Sequence, residues 1–166
     1  MFRTDQAIDA LNEKVGMTTS LLAVPLVAVV VYEVIMRYCF DAPTSWGFEL
    51  TTFLYGAHFV LGFGYCHKHD GHVAIDVFEA RLPQRPRTLL RIVTNLVIFL
   101  PVVGLFSVWS IKYAITSWSL WERASSSWAP PIYPWKTLMA IGFVLLLLQG
   151  VAKLVQDFRS LRGDDR

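Results

Sequence analysis

The densest set of groups able to do chemistry is His67-Lys68-His69-Asp70-Gly71-His72, three imidazoles and a carboxylate in six residues. These groups could ligate a divalent cation, but Lys68 opposes one, and no second cluster of His, Cys or carboxylate completes a tetrahedral set. No metal site is expected. His58, inside an apolar run, has the chemistry of a haem ligand or proton relay. A bis-histidine haem needs a second imidazole at similar depth, and the other three crowd one boundary. The alternative is a ring hydrogen-bonded to a neighbouring helix. A Walker loop, a nucleophile elbow, paired zinc motifs and a dinucleotide fingerprint are all missing, so neither catalysis nor a cofactor is expected.

A second group of chemically capable residues surrounds the stretch from Arg37 to Glu49, where charge, aromatic rings and turn residues separate two apolar runs. Pro43 stops the first helix, Thr44 and Ser45 can cap the next, and Glu49 falls in its first turn, where the helix dipole favours an anion. Glu33 and Arg37 stand at i, i+4 with the acid first. Either the two pair with each other or a partner helix supplies the counter-charge.

Composition decides what must position these groups. Of 166 residues, 54% are hydrophobic and 17% charged, too apolar for a soluble domain of ordinary make-up. The apolar residues come in four runs long enough to cross a bilayer, at about 15–36, 48–65, 89–113 and 137–155. The expected fold is all-α: one membrane domain over residues 1–166, a bundle of four transmembrane helices. Eleven of the fifteen basic residues flank one side of these spans, leaving Arg37, Lys112, Arg123 and Lys136 for the other. By the positive-inside rule the N- and C-termini and the middle loop are cytoplasmic. All six tryptophans then fall on the outer side, as headgroup-seeking rings should. A formal charge of +2, spread in this way, gives no basic patch for nucleic acid. Cys39 and Cys66 lie at opposite ends of their spans, beyond disulfide reach.

Along the chain, the first run is too long for a signal-peptide core and is expected to stay as an anchor. Ahead of it Ile8, Leu11 and Val15 repeat at helical spacing, with Asp5, Asp9, Asn12 and Glu13 on another face. This predicts a short amphipathic helix on the inner membrane surface, or else a solvated tail. A second interfacial helix is expected around Ile75, Phe78 and Leu82, with the arginines after it facing anionic lipid. Pro25 and Pro101 predict kinks. Gly56, Ala57, Gly62 and Gly64 would allow close helix approach, and Gln149 should seek an interhelical hydrogen bond. The Pro- and Trp-rich loop containing Glu122, Arg123, Trp128 and Lys136 is stiff, which suits docking of a partner or simply rings resting in the headgroups. A self-sufficient secondary transporter usually shows inverted repeats and broken helices, and this chain shows neither.

Three ordered patterns carry a family resemblance: Arg37, Tyr38, Phe40, Pro43, Trp46 and Glu49; then Gly71, His72, Val73, Ile75 and Asp76; then Gly142, Leu145 to Leu148, Gln149 and Gly150. Together they resemble the small membrane subunit, the DctQ-like protein, of tripartite ATP-independent periplasmic (TRAP) transporters. The resemblance implies a subunit of the bacterial inner membrane, partnered by a large multi-span membrane subunit, a periplasmic substrate-binding protein and membrane lipids. It further implies that the large subunit imports an organic acid on an ion gradient, commonly sodium, while the small one braces it as a scaffold. On that reading Arg37, Trp46 and Glu49 fix an outer corner, His72 and Asp76 an inner one, and the outer loops touch the binding protein. The competing classes are a membrane anchor of a redox complex and a standalone small channel or exporter.

Overall fold

The computed structural model describes residues 4–69, 71 and 83–162, and every regular element among them is helical. In chain order these are α1 (Thr4–Ser20), α2 (Ala23–Cys39), α3 (Gly47–Lys68), α4 (Gln84–Thr94), a π turn (Asn95–Phe99), α5 (Leu100–Ser119) and α6 (Tyr133–Arg162). The expected interfacial helix at Ile75, Phe78 and Leu82 lies outside the described residues.

Two of the junctions are made by proline. Pro25 has no N–H for the carbonyl of Leu21, and the turn before it tightens into i→i−3 bonds. Leu21 N–H reaches Thr18 O at 3.2 Å and Leu22 N–H reaches Thr19 O at 3.0 Å. The kink thus falls about one turn ahead of the proline, between α1 and α2. Pro101 acts in the opposite sense: the turn before it widens into the π turn, with Leu100 N–H bonded to Asn95 O. Because both breaks are local, each pair of helices remains one continuous rod.

Among the described residues, three rods are long and apolar enough to cross a membrane: Asp5–Cys39, Arg85–Ser119 and Tyr133–Leu161. Each outruns its expected span at both ends. The α3 helix has the length, about 33 Å at 1.5 Å per residue, but Glu49, Thr51, Thr52, His58, His67 and Lys68 dilute its apolarity. It packs against α1, α2 and α6, and a helix flanked by others needs less apolar surface than one facing lipid.

The α3 and α6 helices run parallel, with Phe53 stacked on Trp135 at 4.8 Å near one end and Lys153 Nζ donating to His67 O at 3.3 Å near the other. Their axes come close at Gly142, where a Cβ would sit 2.5 Å from Val60 O. Any larger residue there must push the helices apart. On the far side of α6, α5 packs antiparallel, with Ser107 Oγ donating to Phe143 O at 3.1 Å. Of the four small residues expected to bring α3 against a neighbour, Gly64 and Ala57 are buried, while Gly56 and Gly62 face open space.

The first segment departs most from expectation. Instead of a short separate helix with its acids turned away, α1 continues into α2 and packs antiparallel on α3 and α6. Its polar residues face inward: Asp5, Asn12 and Thr19 are buried, while Leu11 is 46% exposed. The amphipathic pattern was legible, but its direction is reversed. In lipid the apolar face is the one that needs no partner, so the polar face turns to the other helices.

Candidate assembly interface

The outer corner is the turn between α2 and α3. Glu33 organises it by reaching both ways along the chain. Its Oε1 accepts from Arg37 Nη2 at 3.1 Å, and its Oε2 accepts from the Thr44 hydroxyl and, at 3.3 Å, from Thr44 N–H. The Thr44 hydroxyl in turn accepts from Gly47 N–H at 3.2 Å, so the expected cap is supplied by Thr44. Of the two readings for Glu33 and Arg37, the mutual pair is the one formed. Gly47 is required here, since a Cβ would lie 2.6 Å from Glu33 Oε2. Asp41 closes the turn at φ 50°, and Trp46 stacks on Tyr32 at 5.7 Å.

Two groups at this corner are not used up by the turn. Arg37 keeps 55% of its side chain exposed beyond its bond to Glu33. Glu49, in the first turn of α3 as expected, has one carboxylate oxygen that is enclosed and has no hydrogen-bond partner among the described residues. Arg37, Trp46 and Glu49 therefore share one corner, with Trp46 turned onto its own hairpin.

The inner corner is built from residues that the sequence patterns did not select. Gln149, 1% exposed, accepts from Asn12 Nδ2 at 2.7 Å and donates to Asp9 Oδ1 at 2.7 Å. Gln156 donates to the other oxygen of Asp9 at 2.9 Å, and Arg159 Nη1 pairs with Asp5 Oδ2 at 2.6 Å. On the other flank Glu13 Oε2 takes Lys68 Nζ at 2.6 Å and His69 Nε2 at 2.9 Å. Gln149 thus makes its expected interhelical bond, as the centre of a chain of bonds across α1, α3 and α6. The missed signal is the spacing of Asp5, Asp9 and Glu13, four residues apart on a helix that leads straight into a membrane span. His72 and Asp76, the expected inner pair, lie outside the described residues.

The histidines divide by neighbour. His58 Nδ1 donates to Thr19 O at 3.0 Å, the packed reading of that residue. His67 stacks flat on Phe99 at 4.5 Å, while His69 faces Glu13 and the Tyr65 ring.

The outer loop between α5 and α6 is held shut from within. Trp121, at φ 49°, ends α5, and Glu122 N–H caps Ser117 O at 3.1 Å. Arg123 and Pro131 form an antiparallel bridge. Glu122 and Lys136 bind each other, and Lys136, 8% exposed, also lies 3.7 Å from the centre of the Tyr113 ring. The Lys136 ammonium beside Glu122 holds that carboxyl below the usual carboxylate range. Of the four residues expected to face a docking partner, Arg123 and Trp128 are exposed, whereas Glu122 and Lys136 tie the loop to the bundle.

The chain has no match among curated proteins. The family model described as "Tripartite ATP-independent periplasmic transporters, DctQ component" matches residues 26–160, which take in the outer corner, the loop and most of α6. The chain therefore belongs to the DctQ component family of tripartite ATP-independent periplasmic transporters.

Proposed function

We propose that this chain is the small scaffold subunit of a transporter that imports an organic acid on an ion gradient, probably best written as sodium-coupled by analogy with the family resemblance, with four spans in the bacterial inner membrane and both termini cytoplasmic. Its partners are a large multi-span membrane subunit, which moves the substrate, and a periplasmic binding protein, which delivers it. The observation that carries this reading is Glu49. A carboxylate oxygen enclosed at a membrane boundary with no internal partner is costly, and the cost is offset when an adjoining subunit supplies a donor. The exposed Arg37 fork beside it offers the complementary charge to the same neighbour. The α2 helix supports the reading further, because it buries none of its own residues and leaves a full apolar face for a partner helix.

Co-purification and reconstituted transport test this. The chain is expected to hold a large multi-span protein, and uptake is expected to need both. Arg37→Ala combined with Glu49→Ala should lose the complex while the isolated chain still inserts. Transport by the large protein alone would sink the scaffold role, and an unchanged complex yield in the double variant would remove the outer corner from the interface.

A further inference from the structure

We propose that the seam between α5 and α6, in its Trp-rich half, binds one anionic phospholipid, with an acyl chain in the seam and the phosphate on Lys112. A trough of about 350 Å³ opens there, lined by Ile111, Ala114, Trp118, Ala140, Val144 and Leu145 among others. That volume lies at the lower end of the range for small-ligand sites, about 300–1,000 Å³. The polar groups in its wall are already satisfied by each other: Trp118 Nε1 donates to Thr137 Oγ1 at 2.8 Å, and Thr137 Oγ1 donates to Tyr133 O at 2.9 Å. The trough therefore asks its occupant for no hydrogen bond.

Its length and its charge identify the occupant. The lining residues span about two turns of each helix, roughly 12 Å at 1.5 Å per residue. That approaches one leaflet of a hydrocarbon core about 30 Å thick. An acyl chain is confined to one leaflet, whereas a partner helix would cross both. Lys112 is the sole charged residue between Arg91 and Glu122. It follows Ile111 and stands one turn from Ile115, which puts it on the rim. It is exposed, and its side chain makes no ion pair among the described residues. Lying about 10 Å from the end of α5, its ammonium can snorkel to a lipid phosphate. The trough alone selects nothing, because chain against protein replaces chain against chain. Selectivity rests on Lys112.

Native mass spectrometry of the full chain, titrated with phosphatidylglycerol and phosphatidylcholine of identical acyl chains, tests this. One phosphatidylglycerol per chain is expected, at about a fivefold preference, the ratio one lysine near a headgroup supplies. Lys112→Gln should abolish the preference and Lys112→Arg keep it, while Ala140→Phe, which fills the trough, should lower retention of both lipids. Should Ala140→Phe not fold, Lys112→Gln at its exposed position still decides. Equal retention of both lipids by the parent chain, or a preference unchanged in Lys112→Gln, overturns the proposal. So does retention at the parent level by a folded Ala140→Phe chain. Quantitative loss of the lipid when a membrane protein partner binds would assign the seam to that partner instead.

Discussion

The two ends of the bundle use charge in opposite ways. At the outer end, bonds are local: Glu33 reaches Arg37 four residues on and Thr44 eleven residues on, and Glu122 reaches Lys136 across one loop. At the inner end they are remote, with Asp5 bonded to Arg159 and Asp9 to Gln149 across almost the whole chain. Local bonds shape turns and leave helix faces open, whereas remote bonds fix which helices lie together. The difference teaches that the inner end maintains the bundle and the outer end presents it.

Four substitutions or conditions test that contrast, in order of expected size. Gln149→Leu should cost the most, about 2–3 kcal/mol in thermal unfolding in micelles, because it removes two hydrogen bonds and strands Asn12 inside. Protease access to α1 should rise with it; a chain with unchanged melting and protection would break the contrast. Asp5→Asn should cost about 1–2 kcal/mol through the weakened bond to Arg159. Thr44→Val should cost about 1 kcal/mol, since only the turn loses a bond, yet it should reduce co-purification of the large subunit more than Asp5→Asn does. The smallest effect is in acid. Because Glu122 titrates below its ordinary value in the fold, its contribution is full above the ordinary carboxylate range and is lost as pH falls through the lowered value. Tryptophan fluorescence at Trp118 and Trp121 should report loop opening only there, and Glu122→Gln should flatten that acid limb.

Local features were legible in the sequence. Kinks near Pro25 and Pro101, the Thr44 cap, the Glu33 to Arg37 pair and the polar reach of Gln149 each follow from spacing within a turn or from one side chain's chemistry. What spacing does not carry is direction. A stripe of acids on α1 reads the same whether it faces water or another helix, and only the remote arrival of Gln149, Gln156 and Arg159 decides. Lys136 shows the same limit: near a span end a lysine is expected to be solvated, but Glu122 and the Tyr113 face enclose it. Among the small residues of α3, spacing could not tell Gly64, which Asn12 covers, from Gly56, which nothing covers.

The remoteness of the inner bonds also sets an order of events. During synthesis α1 emerges first, but the groups that satisfy Asp5, Asp9 and Asn12 lie on α6, which emerges last. Until then the polar face of α1 has Lys68 and His69 of α3 for Glu13 but none of the α6 donors. The earliest helix made is the last to be completed, so truncation ahead of Gln149 should leave an N-terminal helix exposed to membrane quality control.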